Sequence, residues 1–526
     1  MINIAGFRAI RSSMVSGAAG LGDLHQAGKD ERCTNGVWKL DPEPQIRLYL
    51  KGGSMREDNY REEQRFLKQW LEMYEQLRAG TANVFLEEDV FLMVIEYFDE
   101  QDKVKKAMEA VDIALEYYPY STPLLVKKAD YLIVYKQLDE AMEVLDQAMI
   151  YDSRDVNIYI LKTEALLAMK KSMEAKEILH AAMELFEGEE LADLLFELAD
   201  VFDDYELYND VFNCLASILE IDPNNEEALY KICFWTDFTN RHYEGIQIYK
   251  RIIDAYPYND LAWFNLGAAY QCIKRYEKAL DAYEYAIAIN EKFDYAYRNM
   301  GDALIHMRRY KDAIEVLKKT LELSKPDSIV YEAIGYCYHR LLNGENARFY
   351  FRKAINMSPT ESKLYYKIAL TYMDEMKWSQ ALKSLDTAMA FNQDAYEYEL
   401  AKGECLMNME EYTEAIYSFG TVVKHRRKSV TGWSNLIKCM YLAGAYEDAE
   451  EQAAMAYEIT GGKAIFLYFT AFSQYEQGRV ADALINLESA LIASPKQFKK
   501  VVELNPAILQ NHRVVSLLAQ YKKPKK

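Results

Sequence analysis

Long apolar runs are missing from this chain. Nowhere do 18 apolar residues follow one another, so no transmembrane helix is expected. Basic charge is also short: 62 Lys and Arg stand against 82 Asp and Glu, a net charge of -20. That balance excludes a phosphate-backbone binder, which needs clustered Lys and Arg, so no nucleic-acid partner is expected. Cysteine is sparse. The seven (Cys33, Cys214, Cys233, Cys272, Cys337, Cys405, Cys439) form no C-x-x-C pair, which reads as reduced thiols filling the core of a cytoplasmic protein.

Catalytic motifs are lacking as well. There is no G-x-x-x-x-G-K-[ST], no G-x-S-x-G and no H-E-x-x-H, and each of those spacings is what phosphate binding, acyl transfer or zinc hydrolysis requires. GAAGLG at Gly17 to Gly22 follows no strand, and GGK at Gly461 to Lys463 reads as a turn. His306 and His339 recur at related positions, but no third ligand accompanies them at metal spacing. No catalytic residue, no cofactor and no metal site is predicted, and the chain is read as a non-enzyme.

What is present is a period. In Asp260 to Phe293, Trp263, Leu266, Gly267 and Tyr270 share one helix face, and Ala279, Tyr283 and Ala286 share a second. The pattern returns 34 residues later with Tyr297, Met300, Gly301, Leu304 and Ala313, and again with Tyr331, Ile334, Gly335, Tyr338, Ala347 and Phe351. Starts fall at 88, 122, 156, 192, 226, 260, 294, 328, 362, 396, 430 and 464, every step being 34 except one of 36. The two extra residues are expected in the turn EGEE at Glu187 to Glu190, where an insertion costs little. Position 20 is Ala at ten starts, with Val211 and Gly245 at the others; a small residue there lets two helices approach closely. Pro119, Pro223, Pro257, Pro359 and Pro495 close units at position 32, since proline ends a helix. Glu399, Lys402, Gln474 and Thr236 depart from the pattern and weaken single units.

Large residues at position 4, a small residue at 8 and Ala at 20 of a 34-residue unit resemble the tetratricopeptide repeat (TPR), in the manner of bacterial all-repeat members. The resemblance implies an all-α, right-handed superhelical solenoid of about twelve helix-turn-helix repeats over residues 88–495, sharing one core. The expected flanks are a disordered leader (1–54), an N-terminal capping helix (55–87), and C-terminal capping helices with a basic tail (496–526). In the leader, Arg8 and Arg11 interrupt the apolar run that a signal peptide needs. The cap carries the stripe Phe66, Trp70, Tyr74 and Leu77. Phe498, Val501, Val502 and Leu504, then Ile508, Val514, Val515, Leu517 and Leu518, suggest two short closing helices before KKPKK.

The same resemblance implies a concave groove lined by positions 2, 5, 9, 12 and 13 of each first helix. In the N-terminal half that surface reads as acid: Glu96, Asp99, Asp130, Glu164, Asp193, Asp200, Asp203 and Asp237, a set able to focus a negative potential. In the middle it reads as aromatic and mixed: Tyr230, Phe234, Phe264, Tyr295, Tyr336 and Tyr366, with Arg298, His306, His339 and Arg340. At position 6, Asn265, Asn299 and Asn435 are placed to pair with an extended peptide backbone. Several of the tyrosines are equally suited to bracing neighbouring repeats. The expected function is a protein-interaction scaffold for a protein or peptide with a basic segment. The alternatives are an assembly factor for a membrane or envelope complex, or a regulatory subunit of an enzyme.

Overall fold

The computed structural model describes residues 57–81, 85–392 and 394–521. The leader expected at 1–54 and the KKPKK end lie outside the described residues. Among these, 27 α-helices, a few 3-10 turns and no strand make an all-α chain. It divides into two compact units, one ending at Met307 and one beginning at Arg308.

In the first unit, helix Glu57–Arg78 precedes a run of antiparallel pairs such as Thr122–Val134 with Leu138–Tyr151 and Asp260–Cys272 with Tyr276–Ile289. The second unit repeats the arrangement, for example Ser328–Arg340 with Gly344–Met357 and Tyr396–Asn408 with Tyr412–His425. In these four pairs the first helix has 13 residues and the second 14.

Two local devices set that rhythm. Several first helices start on a side-chain cap: Ser121, Asn225, Asn259 and Ser429 accept from the backbone N–H three residues on, which satisfies one of the orphan donors of a helix start. First helices end on a residue in the left-handed region, such as Lys136 (φ 61°) or Lys274 (φ 61°). There Lys136 N–H donates to the Ile133 carbonyl and Gln137 N–H to the Leu132 carbonyl, both at 2.9 Å. This doubly bonded stop reverses the chain within three residues.

The expected insertion site is different in the structure. EGEE is not a loosened turn: helix Gly188–Asp204 absorbs the extra residues and runs for 17. Glu189 and Glu190 fall in its first turn, where carboxylates are favoured by the helix dipole.

Packing follows the small-against-large rule. Ala141, Ala279, Ala347 and Ala415 at position 20 are completely buried, and Leu145, Tyr283, Phe351 and Phe419 at position 24 of the same units are buried with them. Burying a side chain of that size contributes roughly 1.5–3 kcal/mol. Gly267 permits a close approach of an aromatic ring: a Cβ there would lie 2.5 Å from the Tyr283 ring. Large residues at position 4 add a polar tie, with Trp263 Nε1 donating to the Pro257 carbonyl (2.9 Å) and Trp433 Nε1 to that of Arg427 (2.7 Å). The ring thereby locks the loop six residues upstream.

At the C-terminal end the first expected closing helix is broken into 3-10 and α turns over Pro495–Leu504, and the second is helix His512–Tyr521. Phe498, Val501, Ile508, Val514, Leu517 and Leu518 pack on the core, whereas Val515 faces out. Proline at 495 and 506 fits only the first turn of a helix, which accounts for the interruptions.

Candidate protein-binding surface

Helix Gly188–Asp204 separates its two faces sharply. Leu191, Leu194, Leu195, Leu198, Val201 and Phe202 are buried, while Asp193, Asp200 and Asp203 are exposed. Glu96 is exposed too, and Asp130, Glu164 and Asp237 are half-buried. Asp99 departs from the sequence-based assignment. It is 5% exposed, accepts from the Tyr131 hydroxyl, and pairs with Lys127 Nζ at 3.3 Å. Burial raises its carboxyl pKa, opposed by those two partners. It is a brace between successive first helices and no part of an open acidic face.

Beside the acidic helix lies an aromatic patch. Phe234 and Phe238, one helical turn apart, are 36% and 51% exposed, with their rings 5.6 Å apart and nearly parallel. Trp235 packs on both, and Tyr208 from the preceding pair stacks on Trp235 (5.6 Å) and meets Phe238 edge-on (4.8 Å). Burial pushes the Tyr208 hydroxyl pKa up, and the Glu206 and Asp203 carboxylates push it further. That coupling joins the acid to the aromatic rings. Of this group the sequence pointed to Phe234 and Asp203. Phe238 carries an i, i+4 signal with Phe234, but Trp235 and Tyr208 are brought in by packing between pairs.

Three expected groove residues belong to the core. Phe264 is 0% exposed, held between Tyr283 and Phe293 at ring distances of 5.9 and 4.9 Å. Asn265 donates to the Leu229 carbonyl at 2.7 Å, and Asn299 hydrogen-bonds the buried Tyr283 hydroxyl. Asn435 Nδ2 reaches Glu404 of the preceding first helix. Position 6 therefore braces its helix on the pair before it, Asn265 and Asn435 on that pair's first helix and Asn299 on its second.

The remaining residues are spread along their units. In the first, Tyr230 is half-buried, Arg298 lies over the Tyr295 ring (5.8 Å), and His306 stacks on Tyr276 (5.0 Å) and faces Asp302 at 3.5 Å. Burial raises the Asp302 carboxyl pKa to about 6, the His306 charge opposing the shift. In the second, Tyr310 meets Tyr336 and lies under Arg340, His339 Nε2 sits 2.8 Å from Asp374, and Tyr366 meets Tyr398 with their rings tilted by 35°. The departures from pattern are held by polar contacts: Lys402 with Asp386, Gln474 with Glu450 and Asn486, and Thr236 with Tyr249.

The paired helices agree with what family models describe. Three family models, each describing the tetratricopeptide repeat, match residues 261–293, 296–331 and 329–361. No curated protein matches the chain. Among solved structures, the C-terminal part of a TPR repeat-containing protein from Cytophaga hutchinsonii is similar at 14% identity, over 48% of this chain and 99% of that one, with a TM-score of 0.40. The Cut9–Hcn1 hetero-tetramer of APC/C gives 12% identity over 80% and 96%, TM-score 0.35. YrrB, described as a TPR protein with an unusual peptide-binding site, gives 14% over 35% and 95%, TM-score 0.32.

Proposed function

Because the chain is a tetratricopeptide-repeat protein, we propose that it is a non-catalytic scaffold that holds a segment of another protein against its first helices. The observation that carries this reading is the exposed Phe234–Phe238 pair, linked through Tyr208 to the exposed Asp203, with exposed Asp200 one turn earlier on the same helix. Aromatic rings give a partner desolvated contact area, and adjacent carboxylates favour Lys or Arg in the same segment. A cationic side chain over such a ring is stabilised by about 0.5–2 kcal/mol. The thiols support the non-catalytic part. Burial raises the pKa of Cys405 to about 12 and of Cys439 to about 11, the reverse of what a nucleophile needs.

The test is affinity capture from the native cell with the full chain, at low and high salt, read by mass spectrometry. A discrete partner with a basic segment is expected, released by high salt. It should be lost from an Asp200→Lys/Asp203→Lys variant whose circular dichroism is unchanged. Capture that ignores both salt and the charge reversal would overturn the acidic contact. Salt-resistant recovery of membrane or envelope proteins would favour an assembly role instead.

A further inference from the structure

Position 11 is tyrosine in the units that begin at Asp260 and Ser328 but Thr236 in the unit that begins at Glu226. The shorter side chain leaves a cavity of about 10 Å³ whose wall includes Thr236, Asp237, His242, Asn265 and Cys272. That is room for one water-sized species. Two buried polar atoms in this wall have no hydrogen-bond partner: His242 Nδ1 and Asn265 Oδ1. Their residues are only 6% and 1% exposed. Asn265 is fixed in orientation, since its amide nitrogen is engaged by the Leu229 carbonyl.

Three further features turn this cavity from a water hole into a metal cage. Asp237, His242 and Cys272 each place one ligand-type atom within 4.8 Å of the other two. Cys272 Sγ is 3.4 Å from Asp237 Oδ1, which is 3.9 Å from His242 Nε2. Ligands of a tetrahedral ion with bonds of 2.0–2.3 Å sit roughly 3.3–3.8 Å apart, so the cluster is close to a coordination shell before any ion arrives. The charges also balance, because one carboxylate and one thiolate neutralise a dication where an uncompensated charge is costly. The three ligands come from three helices: the end of Glu226–Phe238, the start of His242–Ala255 and the end of Asp260–Cys272.

We propose that Asp237, His242 and Cys272 bind one divalent transition-metal ion of the zinc class, with the unpartnered Asn265 Oδ1 in the same cavity wall offering an oxygen for the remaining position. The thiol proton of Cys272, directed at Asp237 without metal, leaves to solvent as the sulfur–metal bond forms, and the ion keeps its oxidation state. Bound there, the ion ties two successive helix pairs together.

The test uses the full chain after chelator treatment, titrated with Co²⁺ and then with Zn²⁺. One equivalent of cobalt is expected to produce thiolate-to-cobalt charge-transfer absorption in the near ultraviolet and tetrahedral d–d bands in the visible, both abolished by zinc. Zinc should raise the unfolding temperature of the chain, but not that of Cys272→Ser. The charge-transfer band should vanish in Cys272→Ser. His242→Gln should weaken binding by more than about 100-fold, since losing even an outer-shell partner costs 10–100-fold. Asp237→Asn serves where the serine variant fails to fold, as judged by circular dichroism, and should likewise weaken binding. Cobalt bound without the thiolate band, a band that survives in Cys272→Ser, or no binding at micromolar metal would each overturn the assignment and leave the cavity to a water.

Discussion

The pair Glu226–Phe238 with His242–Ala255 and the pair Asp260–Cys272 with Tyr276–Ile289 solve one packing problem in opposite ways. Each buries a tyrosine completely at the same position, Tyr249 in one and Tyr283 in the other. In the later pair space is made on the first helix, where Gly267 admits the Tyr283 ring. In the earlier pair the glycine has moved to the second helix, where a Cβ on Gly245 would lie 2.7 Å from Thr236 Cγ2. The hydroxyls differ in the same sense. Thr236 donates to the Ile232 carbonyl and so accepts from Tyr249, all within one pair. Tyr283 donates to Gln271 Oε1, and Gln271 Nε2 donates to Asp302 of the next pair. These two pairs keep the same buried volume and a buried hydroxyl, and differ in which side chains supply them.

The largest effect expected from this contrast is loss of the ring itself. Tyr283→Ala should cost about 3–5 kcal/mol, the usual range for a buried aromatic, measured by denaturant unfolding. A loss below about 1 kcal/mol would mean that Tyr283 is not the pivot of its pair. Next, Gly267→Ala should cost about 1–3 kcal/mol through overpacking, and only shrinking the ring, as in Tyr283→Leu, should recover part of it. Gly245→Ala should instead be relieved by Thr236→Ser, which removes the nearest methyl but keeps the hydroxyl. Simple additivity in both double-mutant cycles would break the comparison.

The inter-pair link should show as pH dependence. Asp302 titrates near 6 in the fold against 3.8 for the free group, so the native state holds its proton more tightly. The stability this contributes is present below about pH 4 and lost as pH rises through about 6. Relative to Asp302→Asn, the wild-type chain should therefore lose about 1–3 kcal/mol between pH 4 and pH 7. A difference that does not change over that window would show that the Gln271–Asp302 link leaves the carboxyl solvated. The smallest effect belongs to Tyr249→Phe, at about 0.5–1.5 kcal/mol for one hydrogen bond, with no pH dependence in the same range.

The helix pairs were legible in the sequence because one spacing carries two signals, a small side chain at position 20 and a large one at 24. Asp193, Asp200 and Asp203 were singled out through the resemblance alone, and the structure exposes them opposite an apolar stripe on their own helix. Phe264, Asn265 and Asn299 depart from the expected groove for a physical reason: a helix face does not reveal which neighbours close over it, its own partner helix over Phe264 and the preceding pair over Asn265 and Asn299. Nor was the Asp237–His242–Cys272 cluster legible, since its members lie on three helices with no motif spacing. The sequence shows Thr236 only as a missing large residue, and packing turns that gap into a cavity.

The left-handed stop between paired helices has a further consequence. Among the described residues, ten such positions from Asp102 to Glu410 carry a side chain, while Gly444 and Gly478 serve later in the chain. A side chain in that region is held against its own steric preference at about 1–2 kcal/mol, offset in part by the greater freedom glycine has when unfolded. Each bend is thus a separate dial, set slightly away from its optimum and far enough from the others to turn alone. A chain built this way can be stiffened or loosened one joint at a time, with the faces that meet other molecules left untouched.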